Sequence, residues 1–346
     1  MKTFLVSRTD AIGDVVLTLP VCGQLKQLFP ECHVVLLGRT YTQAVAEACP
    51  WVDAFLNYDE LKQLAAKDQV EAVRAVQADV VLHIFPNKHI AQLAQQAGIA
   101  LRIGTRNRWF HWLTCNRLIS LSRKNSPLHE AQLNMSLLQP LGAPKGMTLS
   151  EVARLVQLLP TVPVPPSIQV PLATQQLGQL RVILHPRSRG SAREWGLPNF
   201  GELAKLLHQA GHYVFVTGTA AEGEELREWL QEYQPYIAAD LTGKLSLPEL
   251  LAFIATTDGL VAGSTGPLHL AAALGRYALG LYPPIRPMHP GRWAPLGPHA
   301  EYIVFDKPGC EDCRSEPAAC SCMKALSPVL AFTQIQGWQP LPSVAS

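Results

Sequence analysis

The chain has 346 residues, 48% hydrophobic and 16% charged, and its 29 basic and 27 acidic side chains leave a net charge of +2. That composition excludes a disordered chain, and so balanced a charge argues against a nucleic-acid binder by bulk electrostatics. The length exceeds the roughly 250–300 residues at which single cores stop growing, so two domains are expected.

Residues 2–7 read as a short apolar strand that starts without an apolar leader or cleavage site, and no run of about 18 apolar residues could span a membrane. A reduced cytoplasmic setting is therefore the expectation for the eight cysteines. RTDAIGDVVLTLPVCGQLKQLFP follows, with helical apolar spacing from Val15 to Leu28. Strands are then expected at 33–37, 52–56, 79–84 and 100–103, with helices at 42–48, 61–76 and 88–97 between them. That alternation is α/β and doubly wound in type. The Pro-rich TVPVPPSIQVP at 161–171 sustains neither ladder nor helix and marks a linker. A second series has strands at 181–185, 213–217 and 259–262, and helices at 200–210, 220–233, 247–256 and 268–274. The expected organisation is an N-terminal domain 1–160, a linker 161–175, a C-terminal domain 176–325 and a tail 326–346. Two such halves suggest a ligand in the cleft between them, at the carboxyl ends of their strands.

GSTGPLHLAAALG at 263–275 joins a strand to a small-residue helix through a tight turn. Such a turn aims free backbone N–H groups at an anion, and Ser264, Thr265 and His269 add side-chain donors around it. Gly263 and Gly266 permit close approach, and Pro267 suits the first helical turn. The turn reads either as a diphosphate seat or as a βα-turn capped by Ser/Thr. Asp14 follows a glycine in the first βα loop, where a carboxylate is placed to act as a base, or where Asp10 or Asp14 only caps the next helix. HPRSRGSAREW at 185–195 puts Arg187, Arg189 and Arg193 in a loop at a strand end, suited to a phosphate clamp or to plain solvation. Arg102 to Trp112 interleaves basic and aromatic residues, in the manner of a surface for an acidic, partly apolar acceptor, a membrane face or single-stranded nucleic acid, or of a solvated loop with aromatic anchors. Cys310, Cys313, Cys320 and Cys322 could hold a structural metal, pair by oxidation or stay reduced.

Together, several segments resemble the ADP-heptose:lipopolysaccharide heptosyltransferases, glycosyltransferase family 9. They are RTDAIGDVVLTLP at 8–20, DVVLHIF at 79–85, RIG at 102–104, HEAQLNMSLLQPLG at 129–142, VILHPRSRGSAREWGLPNFGELAKLL at 182–207 and LTGKLSLPELLAFIATTDGLVAGSTGPLHLAAALG at 241–275. The resemblance implies a GT-B fold, with two Rossmann-like domains facing a cleft. It also implies inverting transfer of a heptose or related sugar from an ADP-sugar to the lipopolysaccharide inner core or another glycolipid. Asp14 becomes the catalytic base. Arg187, Ser188, Arg193, Thr217, Ser264, Thr265, Gly266, Pro267 and His269 become donor-binding residues, and Asp10, Lys88, Arg102 and Arg106 acceptor-binding ones. No metal and no cofactor beyond the ADP-sugar is expected, since no paired-carboxylate motif sits at a strand end. No nucleic-acid partner is expected, and peripheral contact with the inner face of the cytoplasmic membrane is. Many members carry Asp where this chain has Ser264, and some carry Lys where it has Arg193. Two rivals are a non-catalytic nucleotide-sugar or acidic-glycolipid binder of the same fold and an NAD-dependent oxidoreductase. The oxidoreductase is disfavoured because the first loop lacks GxGxxG.

Overall fold

The computed structural model describes residues 1–123, 126–169, 178–286, 288–307, 309–310, 313–314 and 320–342. The chain divides into two compact units, Met1–Leu158 and Leu159–Ser346. The first holds a sheet of β1 (Thr3–Ser7), β2 (His33–Gly38), β3 (Ala54–Asn57), β4 (Val80–His83), β5 (Leu101–Thr105) and β6 (Arg117–Ile119). All neighbours pair in parallel, in the order β3-β2-β1-β4-β5-β6. The second holds β7 (Arg181–His185), β8 (Tyr213–Val216), β9 (Ala239–Asp240), β10 (Gly259–Ala262), β11 (Tyr277–Tyr282) and β12 (Ala300–Val304). These too are parallel, in the order β12-β11-β10-β7-β8-β9. Counted from its own first strand, each sheet runs 3-2-1-4-5-6, the Rossmann order. Chain direction across the sheet reverses between β1 and β4 and again between β7 and β10. Loops leaving the carboxyl ends of those four strands border the natural ligand crevice of each sheet.

The central strands are buried on both faces, as β1 (TFLVS) and β10 (GLVA) show, so they carry continuous apolar runs and no alternation. Helices 220–233, 247–256 and strand 259–262 occur where the sequence pattern places them. The capping boxes Thr219/Glu222 and Ser246/Glu249 fix the starts of both helices.

Elsewhere the structure corrects the sequence pattern. The helix expected over 15–28 is two, Ile12–Val16 and Leu19–Leu28. Pro20 has no N–H to donate and its ring would clash with the Val16 carbonyl of a continuous helix, so the chain breaks at Leu17–Thr18. The helix expected over 61–76 is likewise split, into Tyr58–Leu61 and Ala66–Ala75. The first series continues past residue 103 into β6, and the second past residue 275 into β11 and β12. The segment read as a tail contributes to the second core through its described residues 326–338. Helix Pro328–Ile335 buries Ala331 and Ile335, and Trp338 stacks on Tyr277 with 4.8 Å between ring centroids. A Cβ at Gly259 would meet the Trp338 ring at 2.4 Å, so strand β10 needs glycine there. Of the expected linker, 161–169 lie in the second unit and 170–175 fall outside the described residues.

Candidate functional site

In the first unit the chemistry gathers on Arg8, the first residue beyond β1. It is 2% exposed, and burial alone works against its charge. Three carboxylates more than offset that cost and raise its pKa: Asp10, Asp14 and Glu130. Arg8 Nε donates to Asp10 Oδ1 at 2.6 Å, Nη2 to Asp14 Oδ1, and Nη1 lies 3.4 Å from Glu130 Oε1. Glu130 is 1% exposed and also accepts from Arg123 Nε at 2.9 Å. Asn134, fully buried, accepts from Arg123 Nη2 at 3.0 Å and donates to the Leu17 carbonyl at 3.0 Å. The short helix that carries Asp14 is thus held at its carboxyl end by a residue more than a hundred positions away. The Asp14 side chain keeps 19% of its surface exposed and Asp10 23%, so both carboxylates remain reachable. Burial pushes the Asp10 carboxyl up to about 6, with Arg8 pulling it down and Asp14 adding to the rise.

The structure brings Asp10 and Asp14 together on one guanidinium. The other acceptor-side candidates stand apart from that cluster in what they touch. Lys88, exposed at the start of helix Lys88–Gln96, lies over the Trp109 ring at 5.1 Å. Arg106, just beyond β5, lies over the Trp112 ring at 5.6 Å. Arg102 spends its guanidinium on the backbone, donating to the Thr114 carbonyl at 2.7 Å and to that of Ile99. It braces the loop that follows β5. Behind these residues lies a buried polar group at the strand ends. Ser7, His83, Thr105 and His111 are each fully buried and carry polar side-chain atoms without a bond among the described residues. Burial lowers the pKa of His83 to about 3, so it is neutral at physiological pH.

In the second unit the two candidate donor loops meet. A Cβ at Gly263 would sit 3.2 Å from Ala192 Cβ and 3.5 Å from the Arg193 carbonyl, and Ser191 Oγ lies 3.4 Å from the Ser264 carbonyl. Glycine at 263 therefore lets the turn close onto the 191–193 segment. Helix Gly266–Ala273 starts there with Pro267 in its first turn, and its N-cap Thr265 makes no side-chain cap. Thr265 Oγ1 is buried without a bond among the described residues, while His269, 3% exposed, lies one turn in. Arg193 is 8% exposed and is held by Cys313, with Nε 3.4 Å from Sγ and Nη2 donating to the carbonyl at 3.0 Å. Among the described residues two of its five N–H groups are so used, and a guanidinium is a fork suited to an anion.

Arg187 is less available, since Glu194 accepts from its Nη1 at 2.9 Å and Glu225 lies 3.4 Å from its Nε. Ser188 likewise turns to Glu194 and the Ala192 carbonyl. Thr217 Oγ1 pairs with His185 Nδ1 at 3.0 Å, and burial lowers that histidine's pKa to about 4 against the pull of Glu222. A cavity of about 520 Å³ opens separately at the carboxyl ends of β11 and β12, lined in part by Arg286, His289, Lys307 and Arg314. It does not include the 263–269 turn.

Sequence reasoning missed three parts of these sites. Arg8 looks like an ordinary loop residue, and Glu130 and Asn134 sit inside a matched segment without any local sign of burial. The cationic cavity needs β11 and β12, which the pattern did not reveal. The four late cysteines are all buried and unpaired, with Cys310 and Cys322 Sγ 3.8 Å apart. Burial and the neighbouring Cys310 push the Cys322 thiol up to about 11. No group of three or more His, Cys, Asp or Glu is disposed to hold a metal ion among the described residues. The cysteines pack in the second core and, through Cys313, hold Arg193.

Two Rossmann-ordered units with candidate side chains at their switch points define a doubly wound α/β protein, and sequence comparison narrows the class. The profile described as glycosyltransferase family 9 (heptosyltransferase) matches residues 69–324. The chain belongs to that family and is a glycosyltransferase. A Haemophilus influenzae protein carrying a provisional glycosyltransferase name is 27% identical, covering 98% of this chain and 99% of its own. Lipopolysaccharide heptosyltransferase 3 of Escherichia coli is 24% identical over 78% of this chain and 80% of its own. Among solved structures, Escherichia coli ADP-heptose lipopolysaccharide heptosyltransferase II superposes with a TM-score of 0.72 at 20% identity, covering 97% of each chain. The architecture is therefore GT-B. Family membership sets aside both the oxidoreductase and the non-catalytic binder.

Proposed function

We propose that the protein transfers a heptose, with inversion, from an ADP-heptose donor to a hydroxyl of a lipopolysaccharide core or related glycolipid. The observation that carries this reading is that each unit places its candidate residues at the switch point of its own sheet. Asp10 and Asp14 follow β1, while Arg193 and the 263–269 turn follow β7 and β10. The names of similar proteins support the choice of donor and acceptor, since they include lipopolysaccharide heptosyltransferases and an ADP-heptose enzyme.

In this reading the second unit holds the leaving group. Arg193 and the N–H groups at the start of helix Gly266–Ala273 carry the charge that develops on the departing diphosphate, with Thr265 and His269 as further donors. Asp14 accepts the proton of the acceptor hydroxyl as that oxygen attacks the anomeric carbon and the sugar–phosphate bond breaks. Arg8 fixes the orientation of the Asp14 carboxylate, which matters because a base misplaced by an ångström loses much of its effect. Lys88 and Arg106 supply exposed cations for an acidic acceptor. Ser264 offers a hydroxyl where the family resemblance implies a carboxylate, so in this reading sugar selection at that position works through neutral hydrogen bonding.

The test is a transfer assay on a heptose-deficient lipopolysaccharide core with ADP-heptose, ADP-glucose and UDP-glucose as donors. Turnover with ADP-heptose above both others is expected. Preference for UDP-glucose would overturn the donor assignment, and turnover only on lipid-free sugars would overturn the acceptor.

A further inference from the structure

Helix Trp109–Thr114 has two unlike faces. His111 and Thr114 are buried, with His111 Nδ1 accepting from the Thr105 N–H at 3.0 Å, and Phe110 packs edge-on against the His111 ring. The His111 ring fills the space beside Gly104, where a Cβ would come within 2.7 Å of it. Arg102 and Gln95 add bonds to the carbonyls of Thr114 and Leu113. The helix is therefore firmly seated. Its other face leaves Trp109 64%, Trp112 58% and Leu113 69% exposed. Positions 109, 112 and 113 fall within about 100° of arc on an α-helix, so the three side chains form one outward stripe. An anchored helix that presents two tryptophans and a leucine to water marks a binding surface.

Charge says what binds. From residue 80 to residue 129 the sequence contains no Asp or Glu, yet it holds seven Lys and Arg. The rest of the chain is close to neutral by comparison, with 27 acidic residues against 22 basic ones, 29 less those seven. Helix Lys88–Gln96, which packs beside the stripe, likewise contributes only neutral or basic side chains. Lys88 lies over Trp109 and Arg106 over Trp112, so each exposed ring stands beside a cation. An indole at the acyl boundary with its cation at phosphate level is the arrangement that suits a bilayer interface. Single-stranded nucleic acid fits less well, because bases stack on open ring faces and a cation already covers a face of each indole.

We propose that the stripe of Trp109, Trp112 and Leu113, flanked by Lys88, Arg106 and Arg108, docks the first unit onto an anionic lipid bilayer. The inference extends the glycolipid acceptor of the proposed function. Its test uses neither donor nor acceptor, so the two readings fail separately.

The experiment is cosedimentation of the full chain with vesicles of phosphatidylcholine, alone or in equal parts with phosphatidylglycerol. Binding to the anionic vesicles, weakened by added salt, is expected, with little on the neutral ones. The double substitution Trp109→Ser and Leu113→Ser should lower partitioning by about tenfold or more. Arg108→Glu, which leaves the stripe intact, should lower it roughly fivefold or more, since a cation is lost and an anion gained. Both variants alter exposed side chains and should keep the wild-type melting midpoint. Absence of binding to anionic vesicles, or equal binding by folded variants, would overturn the proposal. So would a wild type that prefers a thymidine oligonucleotide to the vesicles and loses that preference in the double variant.

Discussion

The two units carry the same strand order and build their sites by opposite means. In the first, a buried arginine gathers Asp10, Asp14 and Glu130 from positions two to 122 residues away. In the second, a run of small residues, Gly263 to Gly266, brings the start of a helix against the segment that carries Arg193. Under the proposed function the first device fixes a carboxylate for proton transfer, and the second receives an anion that arrives with the substrate. The comparison teaches that the first site depends on long-range packing and the second on local chain geometry, so the two should break differently.

The largest effect is expected at Asp14. Asp14→Asn keeps the shape but removes the base, and turnover should fall about a thousandfold in a steady-state transfer assay. Arg8→Ala tests the first unit as a structure. It strips the cation from three carboxylates, and urea unfolding should report a loss of about 3–5 kcal/mol; Arg8→Lys should recover only part of it, because an ammonium cannot replace the fork. Arg193→Ala tests the second unit, where loss of a charge-assisted contact should weaken ADP binding by roughly ten- to a hundredfold.

The smallest effect is a shift in a pH profile. Asp10 is protonated below about 6 and charged above it. Its folded pKa lies above the unfolded value, so the contribution to stability is full below about 4 and is lost as pH rises through 6. In activity, the acid limb of kcat/KM should move to lower pH in Asp10→Asn, since one of two adjacent like charges has gone. An unmoved limb would show that Asp10 and Asp14 do not titrate as a pair.

The same contrast explains what the sequence revealed. The 263–269 turn, Arg193 and the strands around them were legible because glycine, proline and apolar runs speak for their own neighbourhood. Asp14 was legible through the Gly-Asp of its loop. Arg8 was not, because its burial comes from Glu130 and Asn134, over a hundred residues on. Arg102 looked free in an Arg-rich segment, and only the fold shows its donors spent on the carbonyls of Ile99 and Thr114. Strands β11 and β12 escaped because YALGLY and AEYIV lie beyond the turn that closed the visible alternation. Trp338 looked like part of a tail until the glycine at 259 made room for its ring.

The most direct test of the division of labour is calorimetric titration of ADP into wild type, Asp14→Asn and Arg193→Ala. The account predicts wild-type affinity for Asp14→Asn and affinity reduced tenfold or more for Arg193→Ala. Loss of ADP binding in Asp14→Asn, or wild-type binding in Arg193→Ala, would contradict it.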